Sequence, residues 1–338
     1  MNAIVSSEML VPAQSVAPAL SVRDLRVEFP TAMGAPTVAI KNLSFDIEPG
    51  TILGLVGESG AGKTTLARSI LNLPPMPGRI TNGEVWFEGT DLRRLPEEEQ
   101  RERRGRDLSI VVPNPRGELN PLITVGDQIA TRAQVHLRID KKAAQARALE
   151  MLQKVQIPDP KRRMNAYAHE LSGGMAQRVV IAMSLVCSPR FVISDDATSG
   201  LDVTVQAQIL KLMRDLAFEQ QSAMLFITRD VGITAHFCDR VAVMYSGEIM
   251  EIASREDLFL DPQHPYTVML MAAFSHNAKL RSQWRAPDES RENATPSVGC
   301  SYASRCPKAQ SICHVEHPEL LERRPGHVVR CHFPVERT

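Results

Sequence analysis

The stretch GESGAGKT, residues 57–64, decides the fold of this chain because it matches the phosphate-binding pattern G-x-x-x-x-G-K-[ST] at every fixed position. The apolar run before it, residues 51–56, predicts a buried strand, and residues 65–73 predict a helix. At such a turn, glycines let backbone N–H groups close around a phosphate, and the helix N-terminus adds its positive dipole. The predicted phosphate-binding residues are Gly57, Glu58, Ser59, Gly60, Ala61, Gly62, Lys63, Thr64 and Thr65.

Three side chains are predicted to contact the phosphates and their metal ion. Lys63 is expected to reach the β- and γ-phosphates, and Thr64 to offer its hydroxyl to Mg²⁺. A second apolar run, residues 191–194, ends in Asp195, which is a natural carboxylate for Mg²⁺. Because many buried strands end in aspartate, this interpretation depends on the phosphate loop upstream.

The composition argues against several classes of protein. The 338 residues suffice for more than one domain, and Lys plus Arg equals Asp plus Glu at 39 each, which argues against nucleic-acid binding. No apolar run is long enough to span a bilayer, and residues 1–20 lack the basic segment of a secretory signal. We therefore expect a cytosolic protein that is peripheral to a membrane.

Strand and helix patterns alternate along most of the chain, which predicts an α/β core with a mixed, mainly parallel sheet. The helical run 125–186 interrupts the alternation and predicts a separate lobe. The predicted divisions are a flexible tail (1–19), a nucleotide-binding domain (20–258) with a helical subdomain (about 114–188), and a C-terminal extension rich in Pro, His and Cys (259–338).

A second anion cradle is predicted at LSGG, residues 171–174, where a serine and two glycines precede a long helix. One chain does not need two cradles for one phosphate. Two chains placed head to tail would use both cradles, because the LSGG cradle of each chain then faces the phosphate loop of the other chain. The sequence therefore predicts a dimer with shared sites.

Taken together with the phosphate loop, the LSGG segment makes the sequence resemble the nucleotide-binding subunits of ABC transporters. LSGGMAQR is similar to their signature motif, residues 57–64 to their Walker A motif, residues 191–195 to Walker B, and SGLD, residues 199–202, to their D-loop. The resemblance implies ATP and Mg²⁺ as ligands, and Phe29 as the aromatic residue that stacks on adenine. It also implies that a partner's ATP contacts Leu171, Ser172, Gly173, Gly174 and Asp202.

Further segments resemble the dipeptide/oligopeptide importer branch, namely GGMAQRVVIAM, LDVTVQAQIL, DPQHPYT and the C-terminal GCSYASRCPKAQSICHVEHPEL. This resemblance implies an ATPase subunit that energises import of peptides or peptide-like solutes. It would lie at the cytoplasmic face of the inner membrane. The implied partners are a second ABC ATPase subunit, two transmembrane permease subunits and an extracytoplasmic substrate-binding protein, with no nucleic acid.

Three positions depart from the family at the chemical centre. Asp196 stands where the family has the glutamate that polarises the attacking water, and is one methylene shorter. Pro113 replaces a glutamine that is a ligand of Mg²⁺ and lacks its side-chain oxygen. Arg229 replaces a histidine that contacts the γ-phosphate.

These three substitutions motivate the hypothesis of a degenerate site. The chain's own site would bind ATP–Mg²⁺ and hydrolyse it slowly or not at all, while its LSGG motif completes the competent site of a different partner subunit. Two alternatives stay open. One is a homodimeric, fully active importer ATPase in which Asp196 still serves as the base. The other is a soluble, non-transport ABC ATPase, although the expected second cassette or coiled-coil insert is not present in the sequence.

Four of the six cysteines, Cys300, Cys306, Cys313 and Cys331, lie near the C-terminus, separated by five, six and seventeen residues. Four thiolates on such a segment can hold an iron–sulfur cluster or zinc, and the spacing does not separate the two. The family resemblance favours a [4Fe–4S] cluster with a structural role. Four unligated thiols are the alternative, and the neighbouring histidines His314 and His332 are possible further ligands. Cys187 and Cys238 are predicted to pack in the core.

Overall fold

The computed structural model describes residues 17–32, 34–274 and 298–335. Residues 1–16 of the predicted flexible tail lie outside these ranges, as do residues 275–297 and 336–338 of the predicted C-terminal extension. Within the described part of the chain, no helix is both long enough and apolar enough to cross a bilayer.

The described residues form two β-sheets and helices that pack around them. The strands are β1 (Leu20–Phe29), β2 (Thr37–Ile47), β3 (Ile52–Val56), β4 (Arg79–Phe87), β5 (Thr90–Asp91), β6 (Leu108–Val111), β7 (Phe191–Asp195), β8 (Ala223–Ile227), β9 (Arg240–Tyr245), β10 (Glu248–Ser254), β11 (Leu321–Arg324) and β12 (His327–Val329). The α-helices are α1 (Lys63–Ile70), α2 (Glu97–Arg103), α3 (Pro115–Glu118), α4 (Val125–Leu137), α5 (Lys141–Lys154), α6 (Pro160–Arg163), α7 (Gly173–Leu185), α8 (Val203–Glu219), α9 (Val231–Phe237), α10 (Arg255–Leu260), α11 (Pro265–Phe274) and α12 (Ser311–Val315).

The larger sheet has the strand order β11-β12-β10-β9-β3-β8-β7-β6, and the smaller sheet the order β2-β1-β4-β5. In the larger sheet the strands from β9 to β6 run parallel to one another, whereas β10, β12 and β11 pair antiparallel. Strands β3, β7 and β8 are buried along their whole length, as expected of parallel strands covered on both faces. The predicted α/β fold with a mixed sheet is confirmed.

A helical lobe, α3 to α7, is inserted between β6 and β7, which are direct neighbours in the sheet. The long helical pattern predicted from residue 125 becomes two helices, α4 and α5. The break occurs at Arg138, which has a left-handed backbone (φ 54°), and Asp140 then caps α5 by accepting the Ala143 N–H (2.8 Å). The lobe thus leaves and returns to the sheet at adjacent strands.

The C-terminal extension continues the larger sheet, because β12 pairs with β10 and β11 pairs with β12. Its attachment centres on Glu251 of β10, a fully buried carboxylate. This carboxylate accepts the backbone N–H groups of Gln263 and His264 (both 2.8 Å) and is hydrogen-bonded to Nε2 of His327 (2.7 Å). Burying a carboxylate is tolerated only when such partners are present. The extension and the core therefore share one sheet across the predicted boundary at residue 258.

Candidate nucleotide-binding site

The phosphate loop connects β3 to α1, and two of its glycines are required by the space around them. Gly62 begins α1 with φ 104°, and a Cβ there would lie 2.8 Å from the Ala39 carbonyl oxygen. A Cβ on Gly57 would lie only 2.1 Å from the Met244 carbonyl oxygen. Any larger residue at these positions would push the loop away from the sheet.

Lys63 lies inside the loop rather than pointing into solvent. Its ammonium donates to the carbonyl oxygens of Gly57 (2.7 Å) and Glu58 (2.8 Å). Burial lowers the pKa of Lys63, and the nearby carboxylate of Asp196 opposes that shift. The positive charge is therefore held at the centre of the loop, where a phosphate would bind.

The two predicted magnesium ligands are in contact. Thr64, in the first turn of α1, donates its hydroxyl to Oδ1 of Asp195 at the end of β7 (3.2 Å). Burial raises the pKa of Asp195, and the hydrogen bond from Thr64 opposes that shift. Hydroxyl and carboxylate oxygens are the ligands that Mg²⁺ prefers. The donor set therefore fits the ion at this position.

These residues line one open pocket of about 340 Å³. Its lining consists of Ala39, Ser59, Gly60, Gly62, Lys63, Thr64, Thr65, Asp195, Asp196, Ile227 and Arg229. Sequence reasoning missed Ala39 and Ile227, which are apolar and carry no motif. Five residues predicted for this site are not part of this lining, namely Gly57, Glu58, Ala61, Phe29 and Pro113. Phe29 is half-buried, with its ring against Gly78, and Pro113 is exposed on the loop after β6.

Two of the three substituted positions form an ion pair within the pocket. Arg229 reaches Oδ2 of Asp196 through Nε (3.1 Å) and through its terminal nitrogen (3.0 Å). The parallel pairing of β7 with β8 places Asp195 beside Ile227, so the residues that follow the two strands are brought together. Asp196 itself has φ 49° and donates its N–H to the Ile227 carbonyl (2.9 Å). One oxygen of the candidate base is therefore occupied by a guanidinium group.

The signature segment lies at the exposed start of α7. The hydroxyl of Ser172 caps this helix by accepting the Met175 N–H (3.3 Å), and the space around Gly173 is open. Asp202 caps the neighbouring helix α8 by accepting the Val205 N–H (2.9 Å). Gly174 packs closely on Val205, so the two helix starts are adjacent. Among the described residues that line the nucleotide pocket, none belongs to the signature set Leu171, Ser172, Gly173, Gly174 and Asp202.

The four C-terminal cysteines line a second cavity, together with Tyr302, His332 and Phe333. All four are free of disulfides. Burial raises the pKa of Cys306 to about 11 and that of Cys331 to about 12. In the described ranges, no group of three or more His, Cys, Asp or Glu side chains has the arrangement of a metal-ion site. The four thiols therefore line one cavity but are not arranged to bind a single metal ion. His314 is not part of the cavity lining.

The geometry predicts that Lys63→Ala weakens ATP binding. Because the ammonium provides charge-assisted hydrogen bonds at the centre of the loop, its loss should raise the Kd for ATP–Mg²⁺ by about 10- to 100-fold. Equilibrium titration with a fluorescent ATP analogue measures this change. Lys211→Ala removes an equally charged but exposed side chain of α8 and should leave the Kd unchanged. Equal affinities in all three proteins would contradict the assignment of this pocket.

Comparisons with known proteins identify the family of the chain. The ABC transporter family model matches residues 40–199, and the model of the oligopeptide/dipeptide transporter C-terminal region matches residues 250–313. The chain is 46% identical over 319 residues to the probable peptide ABC transporter ATP-binding protein y4tR of Sinorhizobium fredii, covering 92% of this chain and 94% of that protein. It is 40% identical over 320 residues to the dipeptide transport ATP-binding protein DppD of Bacillus subtilis, covering 94% and 95%.

Among solved structures, the dimeric bacterial ABC transporter cassette MJ0796 superposes with a TM-score of 0.63 at 25% identity, covering 70% of this chain and 98% of that chain. The match therefore spans nearly the whole of that cassette and about 70% of this chain. Sequence and structure agree on the ATP-binding cassette. The chain belongs to the ABC transporter ATP-binding proteins, in the group that carries the oligopeptide/dipeptide transporter C-terminal region.

Proposed function

We propose that this chain is the ATP-binding subunit that energises import of peptides or peptide-like solutes. It would lie at the cytoplasmic face of the inner membrane, and its partners would be two transmembrane permease subunits and an extracytoplasmic substrate-binding protein. The observation that supports this most strongly is that relatives named for peptide transport match nearly the whole chain, including its C-terminal region. The intact phosphate loop, with Lys63 held inside it and Thr64 hydrogen-bonded to Asp195, supports ATP binding as the source of energy.

Peptide uptake by intact cells tests this proposal. Deletion of the chain should abolish uptake of labelled di- and oligopeptides, because a permease cannot be energised without its ATP-binding subunit. The wild-type chain supplied from a plasmid should restore uptake, whereas Ser172→Arg, which blocks the exposed signature segment, should not. Uptake that is unchanged by the deletion would favour a non-transport ABC ATPase.

We further propose that the chain's own site binds ATP but turns it over slowly. A general base must lie within hydrogen-bond reach of the water that it activates. Asp196 is one methylene shorter than the family's glutamate, and its Oδ2 is bonded to Arg229. The ion pair supports a site in which the carboxylate is held by the guanidinium, while Lys63 still contacts the phosphates and Thr64 and Asp195 still hold Mg²⁺.

The signature segment supports a role in a second site. Ser172 is exposed and Gly173 is half-buried at the start of α7, and both lie outside the pocket that holds Lys63. A helix N-terminus with free space around it is suited to an anion that comes from another chain. We therefore propose a heterodimer with a different ABC ATPase, in which this chain completes the partner's hydrolytic site.

Restoring the family's residues should increase turnover. In the assembled transporter, the triple variant Pro113→Gln, Asp196→Glu, Arg229→His should raise the ATPase rate of this chain's own site by about tenfold or more. The reason is that a correctly placed general base contributes at least that much. The measurement is steady-state ATPase activity in a background where the partner's phosphate-loop lysine is replaced by alanine, so that only this site is read.

The matched control is Lys63→Ala in this chain with the partner intact. It should leave most of the transporter's ATPase activity, whereas the corresponding substitution in the partner should remove nearly all of it. Equal losses from the two substitutions, or brisk hydrolysis by a homodimer of the wild-type chain, would show that Asp196 still acts as a base and that the two sites are equivalent.

We also propose that Cys300, Cys306, Cys313 and Cys331 hold a [4Fe–4S] cluster. The donor set fits, since four free thiols line one cavity and thiolates are the ligands of such clusters. Iron–sulfur clusters take four thiolates that surround the cluster rather than converge on one ion. When bound, the cluster would cross-link the parts of the extension that carry the four cysteines, and its role would be structural.

Anaerobic purification tests the cluster. The wild-type protein should show broad visible absorption and contain iron and sulfide, and Cys306→Ser should lose most of both, because one of the four thiolate ligands is gone. Cys187→Ser, which changes a buried cysteine outside this cavity, should keep the absorption. Stoichiometric zinc, or protein free of metal, would contradict the proposal.

A further inference from the structure

The C-terminal extension makes direct contact with the phosphate loop. Arg305 forms two hydrogen bonds to the carboxylate of Glu58, the second residue of the loop, at 2.9 and 3.1 Å. The two groups are 247 residues apart in the sequence. Paired N–H···O bonds between a guanidinium and a carboxylate fix orientation as well as distance. The side chain of Glu58 is therefore held by the extension rather than by the cassette.

The same loop residue is held a second time by the extension. The backbone N–H of Glu58 donates to the hydroxyl of Tyr266 in α11 (3.1 Å), and Tyr266 is fully buried. The carbonyl of Glu58 accepts the ammonium of Lys63 (2.8 Å). Glu58 thus has its side chain and its N–H bound by the extension, and its carbonyl bound by the lysine that is predicted to contact phosphate.

Aromatic packing keeps these two contacts rigid. The guanidinium of Arg305 lies 5.7 Å from the ring centre of Tyr245 and 6.0 Å from that of Tyr302. Tyr245 also packs on Tyr266, with ring centres 4.7 Å apart. A planar cation between aromatic faces loses little further freedom when it binds a carboxylate. Arg305 and Tyr266 therefore bind Glu58 as one preformed unit.

The position of Arg305 depends on the cysteine segment. The residue ends a short 3₁₀ turn, Ala303–Arg305, which is followed directly by Cys306. The turn begins with a hydrogen bond from the Ala303 N–H to the Cys300 carbonyl (3.0 Å). The guanidinium is thus carried by backbone that lies between two of the cysteines that line the second cavity.

We propose that Arg305 and Tyr266 are positioning residues of the nucleotide site, through which the C-terminal extension holds the phosphate loop in its ATP-binding shape. Arg305 has a second effect, because it neutralises a carboxylate that would otherwise repel the incoming phosphates. Holding a loop in its bound conformation before the ligand arrives increases affinity. The inference rests on one part of the proposed function, that this site binds ATP, and it is independent of the cargo and of the hydrolysis rate.

The full-length chain with ATP–Mg²⁺ provides the test. Arg305→Ala should raise the Kd for ATP–Mg²⁺ by about three- to tenfold, and Tyr266→Phe should raise it by a smaller factor, since it removes one neutral hydrogen bond. Arg324→Ala, which breaks an ion pair with Asp261 elsewhere in the extension, is the matched control and should not change the Kd.

A double-mutant cycle separates positioning from general stability. In the Glu58→Gln background the repelling charge is absent, so Arg305→Ala should cause little or no further loss of ATP affinity. The same loss in both backgrounds would overturn the proposal, because Arg305 would then act by stabilising the extension as a whole. An unchanged Kd in Arg305→Ala would also overturn it. If the wild-type chain binds no ATP, the proposed function fails instead.

Discussion

The nucleotide site depends on the parallel pairing of three strands, β3, β8 and β7. Their carboxyl ends meet at one edge of the larger sheet, so the phosphate loop, Asp195 and the residues after β8 lie side by side. The pairing of Asp195 with Ile227 sets the spacing across this edge, and Thr64 then reaches the Asp195 carboxylate. A register shift of one residue would turn every side chain to the opposite face, so the position of the pocket follows from the register.

The same register explains why the substituted positions meet. Asp196 follows β7 and Arg229 follows β8, and the sheet edge brings them within 3.1 Å. An arginine in place of a neutral histidine adds a positive charge beside a carboxylate, and the two compensate each other. About 63% of the Arg229 side chain is exposed, so the ion pair contributes little to the free energy of folding. Its main effect is on the proposed role of the Asp196 carboxylate as a general base. The two positions that are predicted to depart from the family thus form one ion pair.

The C-terminal extension adds two strands to the larger sheet beyond β10. Strand β12 pairs with β10, which would otherwise present unpaired N–H and C=O groups to other chains, and β11 pairs with β12. The buried carboxylate of Glu251 fixes this attachment through His327 and two backbone N–H groups. From this attachment the extension returns to the phosphate loop at Glu58. The C-terminal extension of this chain, part of which the oligopeptide/dipeptide transporter C-terminal model matches, therefore contacts the phosphate loop.

The sequence by itself determined the phosphate loop, the α/β alternation, the helical lobe and the family, because each depends on residue types at short, fixed spacings. Only the tertiary structure decided which distant residues meet. It placed Arg229 on Asp196 and Arg305 on Glu58, and it left Phe29 and Pro113 outside the lining of the pocket. Local patterns encode strands, helices and turns, but a contact across 247 residues depends on strand register and on how the last segment packs, and neither leaves a periodic signal in the chain.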